Sequence, residues 1–393
     1  MQTRWRAGLA ALGLALVGCA ARPPVPPAPA AFWLDKEFEY QAALVTTSQQ
    51  DLFALDPSLV AELGSTKLQK APVEDRIRYV VDTLASTTDR PFIYNAGLST
   101  VAAETWRTRR GDCLSLTVLA FAMAQELRLP VTMQELLSTV LFDRRGNVDY
   151  RVGHVNLYID RSMTNDGSIS TSGRRGVVVD FEPSYGSNRQ GLALSARGIL
   201  ARYYNNLGAA YLAKADWPRA YAHFKAAMLS DADFSAAAAN LAWLYWNQGF
   251  AAAAERVLTQ TAATSAQPDA SLRALHRLLL VQGRQEEAAR YRSLFETRQK
   301  QEPYYWIDRG LAQLKEGDSR GAIRSLEFAQ TLATGFSELH QYLAIAYLQV
   351  GKPDKAQEQL TTLALINGED PSLPLIGQKI ALARKRAAPT HWW

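Results

Sequence analysis

A 34-residue period runs through the C-terminal half of this 393-residue chain and leaves few folds open to it. A small residue recurs at Ala220, Ala254, Ala288, Ala322 and Ala356, and a turn residue at Ala215, Gly249, Gly283, Gly317 and Gly351. Alanine lets two helices approach closely, and glycine lets the chain reverse between them. Each period therefore reads as a helix–turn–helix hairpin, with units starting near residues 201, 235, 269, 303 and 337 and no insertion between them. Such hairpins cannot bury their apolar faces alone and stack into a solenoid. An aromatic recurs in the first helix at Tyr211, Tyr245 and Tyr347, but Leu279 and Gln313 replace it in units three and four. A break in the superhelix is expected there. An amphipathic segment at about Ser372–Arg386 is expected to cap the last pair.

Leu207-Gly208, Tyr211, Ala220, Phe224 and Ala227 resemble the tetratricopeptide pattern, and the resemblance extends over roughly the second half of the chain. It implies an all-α solenoid, residues 201–393, with a groove for a peptide or a protein partner. The competing expectation is a structural brace for the first half. Trp217, Trp243, Trp246, Tyr304, Tyr305 and Trp306 are candidate groove anchors, although residues at such positions are more often repeat core than ligand contacts.

The N-terminus reads as an address. Arg4 and Arg6 precede the apolar run Ala7–Val17, the layout of a secretory signal. The run ends in Leu16-Val17-Gly18-Cys19, which resembles the bacterial lipobox. The resemblance implies removal of residues 1–18 and a membrane anchor through a lipid on Cys19. With Ala20 rather than Asp after the cysteine, it implies the periplasmic face of an outer membrane. The Pro/Ala-rich stretch of residues 19–31 would space the body from the surface. Processing takes the net charge from +5 to +3 and leaves Cys113 as the one thiol not destined for lipid, in a compartment that favours disulfides. The charges are dispersed, so nothing points to nucleic acid as a partner. With 48% hydrophobic and 21% charged residues the chain is neither disordered nor fibrous, and no apolar run reaches the roughly 18 residues of a membrane span.

Residues 32–200 carry a different pattern, helices followed by strands. Val73–Ala85 and Ser99–Arg109 read as helices, and Gly111-Asp112-Cys113 leads into the apolar run Leu114–Leu127. Asp112 is the expected N-cap, which puts Cys113 in the first turn, where the helix dipole favours a thiolate. The Asp112 carboxylate opposes that effect, so a cationic partner is needed. Strands are expected at Val131–Leu137 and Gly153–Asp160, joined through the turn Arg145-Gly146-Asn147, and at Gly176–Phe181. Alternation puts Val155, Leu157 and Ile159 on the buried face and His154, Asn156 and Tyr158 on the other. His154 is the single histidine of this half, and Asp180 ends a buried strand, where an acid needs a partner.

The order Cys113, His154, Asp180 is that of a thiol triad. Gly111-Asp112-Cys113 before a helix, Gly153-His154-Val155 on a strand and Val179-Asp180 on the next resemble the transglutaminase-like superfamily, with its papain-like arrangement. Phe92-Ile93-Tyr94 and Glu104-Thr105-Trp106 resemble the approach to its cysteine motif. The fold class implied is an α+β transglutaminase-like domain followed by the repeat solenoid. The activity implied is attack of the Cys113 thiolate on an amide carbonyl, with hydrolysis or acyl transfer through a thioester. The Cys113 backbone N–H would serve the oxyanion, with Trp106 and Asn95 as candidates for the second donor. The residues also allow plainer readings: Cys113 as a small buried hydrophobe, His154 as a satisfied sheet histidine, Asp180 as a partner of Arg174 or Arg175. No cofactor is called for, and neither paired Cys/His spacing nor an acidic calcium loop occurs. Two alternatives stand beside amide hydrolysis: a catalytically inert scaffold whose repeats assemble an envelope complex, and an acyl transferase that cross-links envelope proteins.

Overall fold

The computed structural model describes residues 30–84, 91–95, 97–145, 148–161, 176–181, 191–300, 303–332, 337–366 and 370–387. Residues 1–29, with the lipobox and Cys19, lie outside this set, as do Arg174 and Arg175. No helix among the described residues is long and apolar enough to cross a membrane.

The N-terminal half is an α+β head. Four helices come first: α1 (Gln49–Phe53), α2 (Pro57–Leu63), α3 (Thr66–Gln69) and α4 (Val73–Leu84). Local chemistry starts two of them. Ser48 and Asp51 form a reciprocal capping box at α1, and Asp56 caps α2 ahead of Pro57. A short parallel pair, β1 (Ile93–Tyr94) with β2 (Arg110–Gly111), flanks α5 (Ala102–Thr108) and delivers the chain to α6 (Cys113–Glu126). Helix α6 is apolar on nearly every side and is correspondingly buried, from Cys113 through Met123 and Ala124. Four antiparallel strands follow in the spatial order β5-β4-β3-β6: β3 (Val131–Arg145), β4 (Val148–Ile159), β5 (Val177–Val179) and β6 (Leu192–Leu194). Strand β3 continues past its expected end at Leu137 to Arg145. The register passes from Leu136↔His154 to Val140↔Gly153, so extra residues of β3 bulge beside His154.

The C-terminal half is a helical array. Its first helices are α7 (Ala196–Ala213), α9 (Ser235–Asn247), α11 (Asp269–Val281), α13 (Pro303–Lys315) and α15 (Ser337–Gln349). Its second helices are α8 (Trp217–Ser230), α10 (Ala251–Thr264), α12 (Gln285–Gln299), α14 (Ser319–Leu332) and α16 (Pro353–Ile366), and α17 (Leu373–Ala387) ends it. From α9 on, each first helix begins 34 residues after the last, and all five second helices do so. Ala220, Ala254, Ala288, Ala322 and Ala356 are fully buried. In unit four the polar Gln313, standing where units one, two and five carry a tyrosine, accepts a hydrogen bond from Ser325 at 2.7 Å. Helix α7 starts at Ala196 rather than near residue 201. Ser195 caps it, and Ile199 and Leu200 pack into the core shared with the head.

The turn glycines Gly249, Gly283, Gly317 and Gly351 have φ between 73° and 85°, and Ala215 adopts the same left-handed turn at φ 57°. A left-handed alanine costs about 1–2 kcal/mol, partly offset by the extra unfolded-state entropy of glycine. Ala215→Gly is therefore expected to stabilise the chain by up to about 1 kcal/mol, read as a raised urea midpoint. A lowered midpoint would show that the Ala215 Cβ carries no strain.

The buried core divides between units three and four. One cluster runs from the head to Ala288, and a second from Ile307 to Ile380. The cause is α12, whose charged residues point to every side; among its described residues only Ala288 is fully buried. A helix without an apolar stripe offers the next hairpin nothing to stack on.

Among the connections that fasten head to array, two stand out. Arg202 on α7 pairs with Glu135 on β3, its Nε donating to Oε1 at 3.1 Å, and it also reaches Asp231 at 3.2 Å. Arg202 and Glu135 are both buried, and the guanidinium lies 4.2 Å from the centre of the Phe234 ring. The second connection is the segment before α1, which crosses to the first two repeats. Phe32 and Phe38 are buried there, and Phe38 stacks on Tyr221 with ring centres 4.9 Å apart.

Candidate functional site

The N-terminus of α6 is held by a network built from four parts of the chain. The Asn95 N–H donates to the Gly111 carbonyl at 2.9 Å, and the Asp112 N–H to the Leu98 carbonyl at 3.1 Å, so Asn95 and Leu98 flank the approach to Cys113. Asp112 caps the helix as its position predicts: Oδ1 accepts from the Ser115 N–H and hydroxyl, each at 2.8 Å. Its other oxygen accepts from Ser99, whose hydroxyl in turn accepts from Asn206 Nδ2 on α7 at 2.9 Å. Thr100 N–H donates to Ser115 Oγ at 2.8 Å. Gly111 has no room for a side chain, since a Cβ there would come within 2.6 Å of Ser115 Cβ. Cys113, the first residue of α6, is 3% exposed.

One turn further along α6, about 5.4 Å, Thr117 Oγ1 donates to the Val155 carbonyl on β4 at 3.3 Å. That contact places the cysteine end of α6 beside the strand that bears His154. His154 Nε2 donates to Asp180 Oδ1 at 2.6 Å, and Asn156 Nδ2 donates to Asp180 Oδ2 at 3.1 Å. The His154 side chain is fully buried and that of Asp180 is 2% exposed. A buried carboxylate is tolerated only with hydrogen-bond donors on its oxygens, and here each oxygen has one. Nε2 faces Asp180, and Nδ1, the other ring nitrogen, is buried as well.

The expected alternation along β4 needs correction on one point. Val155, Leu157 and Ile159 are buried as expected, but His154 and Asn156 on the opposite face are fully buried too. Asn156, not anticipated as a site residue, stands two positions from His154 on the same face, which was its one sequence signal. Ser99 and Asn206 carried no signal at all. The two candidates for a second oxyanion donor lie in different settings. Asn95 is exposed and enters the network through its backbone. Trp106 directs Nε1–H to Ser58 Oγ on α2 at 3.3 Å, and its ring lies under the Arg109 guanidinium at 4.0 Å.

On the array, Trp217 and Trp246 are half-buried against the main core, while Trp243 is 38% exposed. Tyr305 and Trp306 meet edge to face, Trp306 packs on Phe328, and its Nε1 donates to the Lys300 carbonyl at 2.8 Å. The Tyr304 side chain lies outside the described residues.

The fold defines an α+β head fused to an array of stacked helical hairpins. Residues 313–373 match the tetratricopeptide repeat family model, and the C-terminal half is an array of that type. Among solved structures, MamA is similar at 17% identity, over 44% of this chain and 94% of that one, with a TM-score of 0.22. YrrB, described as a TPR protein with an unusual peptide-binding site, is similar at 17% identity over 46% and 92%, TM-score 0.23. PilF of Pseudomonas aeruginosa is similar at 18% identity over 49% and 88%, TM-score 0.26. No curated protein matches the chain.

Proposed function

We propose that this protein is an adaptor that binds a protein partner through its tetratricopeptide-type repeats, held in the bacterial cell envelope by a lipid on Cys19. The array of hairpins, whose second helices recur every 34 residues, carries this reading, because stacked hairpins present side chains from successive units along one surface, here units one to three and then four and five. The head, pinned to α7 through Arg202 and Asn206, then fixes how the array is presented. A photo-crosslinking residue at the exposed Trp243, in cells expressing the full chain, tests it. One partner captured there, and equally by the Cys113→Ala chain, is the expected result. Capture that disappears with Cys113 would move the function to the thiol.

A second reading has its own support, the buried His154–Asp180 pair with Asn156 on the remaining carboxylate oxygen. We infer from it a transglutaminase-like thiol site with Cys113 as nucleophile. His154 Nδ1 takes the thiol proton, and the thiolate attacks an amide carbonyl. The amine leaves with a proton from His154, and the remaining thioester goes to water in hydrolysis or to an amine in transfer. Asp180 holds the imidazole in one tautomer and stabilises its cation. The backbone N–H groups at the start of α6 face the developing oxyanion.

A further inference from the structure

The first two repeats already hold a peptide, and it belongs to this chain. The segment leaves a 3-10 turn at Ala30–Phe32 and closes a second turn, in which the Phe38 N–H donates to the Leu34 carbonyl at 3.1 Å and the Tyr40 N–H to the Asp35 carbonyl at 2.9 Å. Phe32 offers its carbonyl to Tyr245 Oη at 2.8 Å. The Leu34 N–H donates to Tyr221 Oη at 3.0 Å, and that hydroxyl donates to Asp35 Oδ1 at 2.7 Å. Lys225 Nζ meets both Asp35 oxygens, at 2.6 and 2.8 Å. Phe38 stacks on Tyr221 and leans on Tyr245 and Phe250, with ring centres 5.6 and 5.8 Å away. Lys36 and Glu37, between the anchors, are exposed.

The receiving surface is built for this chemistry. Lys225 is 8% exposed, and a cation at that depth needs a carboxylate. Burial and the Asp35 carboxylate keep the Tyr221 hydroxyl protonated, so it stays a donor. Two main-chain groups, one carboxylate and the Phe38 ring are read, the elements of recognition for a short turn-forming peptide.

We propose that Tyr221, Lys225, Tyr245 and Phe250 form a binding site for a turn-forming peptide, selective for an aspartate followed three positions on by an aromatic residue. Residues Phe32–Phe38 are its built-in ligand, and a partner with the same spacing displaces them. The proposal rests on the adaptor reading for its purpose, but its test needs no cellular partner, so the two can fail separately.

The probe is a fluorescein-labelled peptide of residues 30–40, titrated into the full chain and into the chain carrying Asp35→Ala with Phe38→Ala. The variant is expected to bind at least about tenfold more tightly than the wild type, and a probe with its aspartate replaced by alanine at least about tenfold more weakly than the original. Lys225→Met in the variant background is expected to abolish the difference between the two probes. A variant that melts cooperatively yet binds no better than the wild type would overturn the site. Should the variant not fold, hydrogen exchange of the wild-type chain decides. The Leu34 amide exchanging through a local opening, ahead of the α8 amides, supports a displaceable ligand. Exchange only together with α8 makes the segment a fixed part of the core and ends the proposal.

Discussion

Arg202→Ala is expected to destabilise the protein by about 3–5 kcal/mol, the cost of leaving a buried carboxylate with its counter-ion removed. Glu135 is the group stranded, at 8% exposure on β3, and Asp231 loses its link to α7 as well. The stacking of the guanidinium on Phe234 disappears in the same substitution. The double replacement Arg202→Met with Glu135→Leu is expected to recover most of the loss, because well-packed apolar residues replace a buried pair at little cost. Urea unfolding of the three chains separates the cases. A loss below about 1 kcal/mol for Arg202→Ala would mean that water reaches the pair and that the head is not locked to the array through it.

The second large effect concerns Cys113. If His154 and Asp180 serve the thiol, alkylation of Cys113 by iodoacetamide in the chain lacking residues 1–19 rises with pH around a midpoint well below the ~8.5 of an ordinary thiol. His154→Ala returns the midpoint towards that value. A shift of about two pH units corresponds to a drop on the order of 50–100-fold in rate near pH 6, since the thiolate fraction sets the rate. Cys113→Ser removes the signal and serves as the blank. An ordinary midpoint in the wild-type chain would leave the thiol reading without chemistry and strengthen the adaptor. Because Cys113 is only 3% exposed, slow labelling is compared with labelling in mild urea, which separates a hidden thiol from an unactivated one.

Much of this architecture was legible in the sequence because it is locally encoded. The helix starts of the array follow from small residues and turn glycines, each acting within its own hairpin. The N-cap Asp112 and the apolar run behind Cys113 announce α6 within a few residues. The weak stacking after unit three was visible as the loss of the aromatic at Leu279 and Gln313, although the direct cause is the polar α12. What stayed hidden depends on partners far away in the chain. Alternation in β4 identified one buried face, but the burial of His154 and Asn156 comes from the packing of other layers. Neither Ser99 nor Asn206 carries a mark that they meet, 107 positions apart. The early start of α7 likewise reflects Ile199 and Leu200 finding the head's core, not any feature of the repeat.

The same separation sets an order of events during synthesis. Phe32 leaves the ribosome early, yet its carbonyl waits for Tyr245, 213 positions later, and Asp35 waits 190 positions for Lys225. At translation rates of about 5–20 residues per second, the interval is roughly 10–40 s. Through all of it the head can form its own core while these residues have no seat. The segment is thus placed only after the whole head has been made, and the nascent chain carries two bulky aromatics and an unmatched acid until its second hairpin is complete.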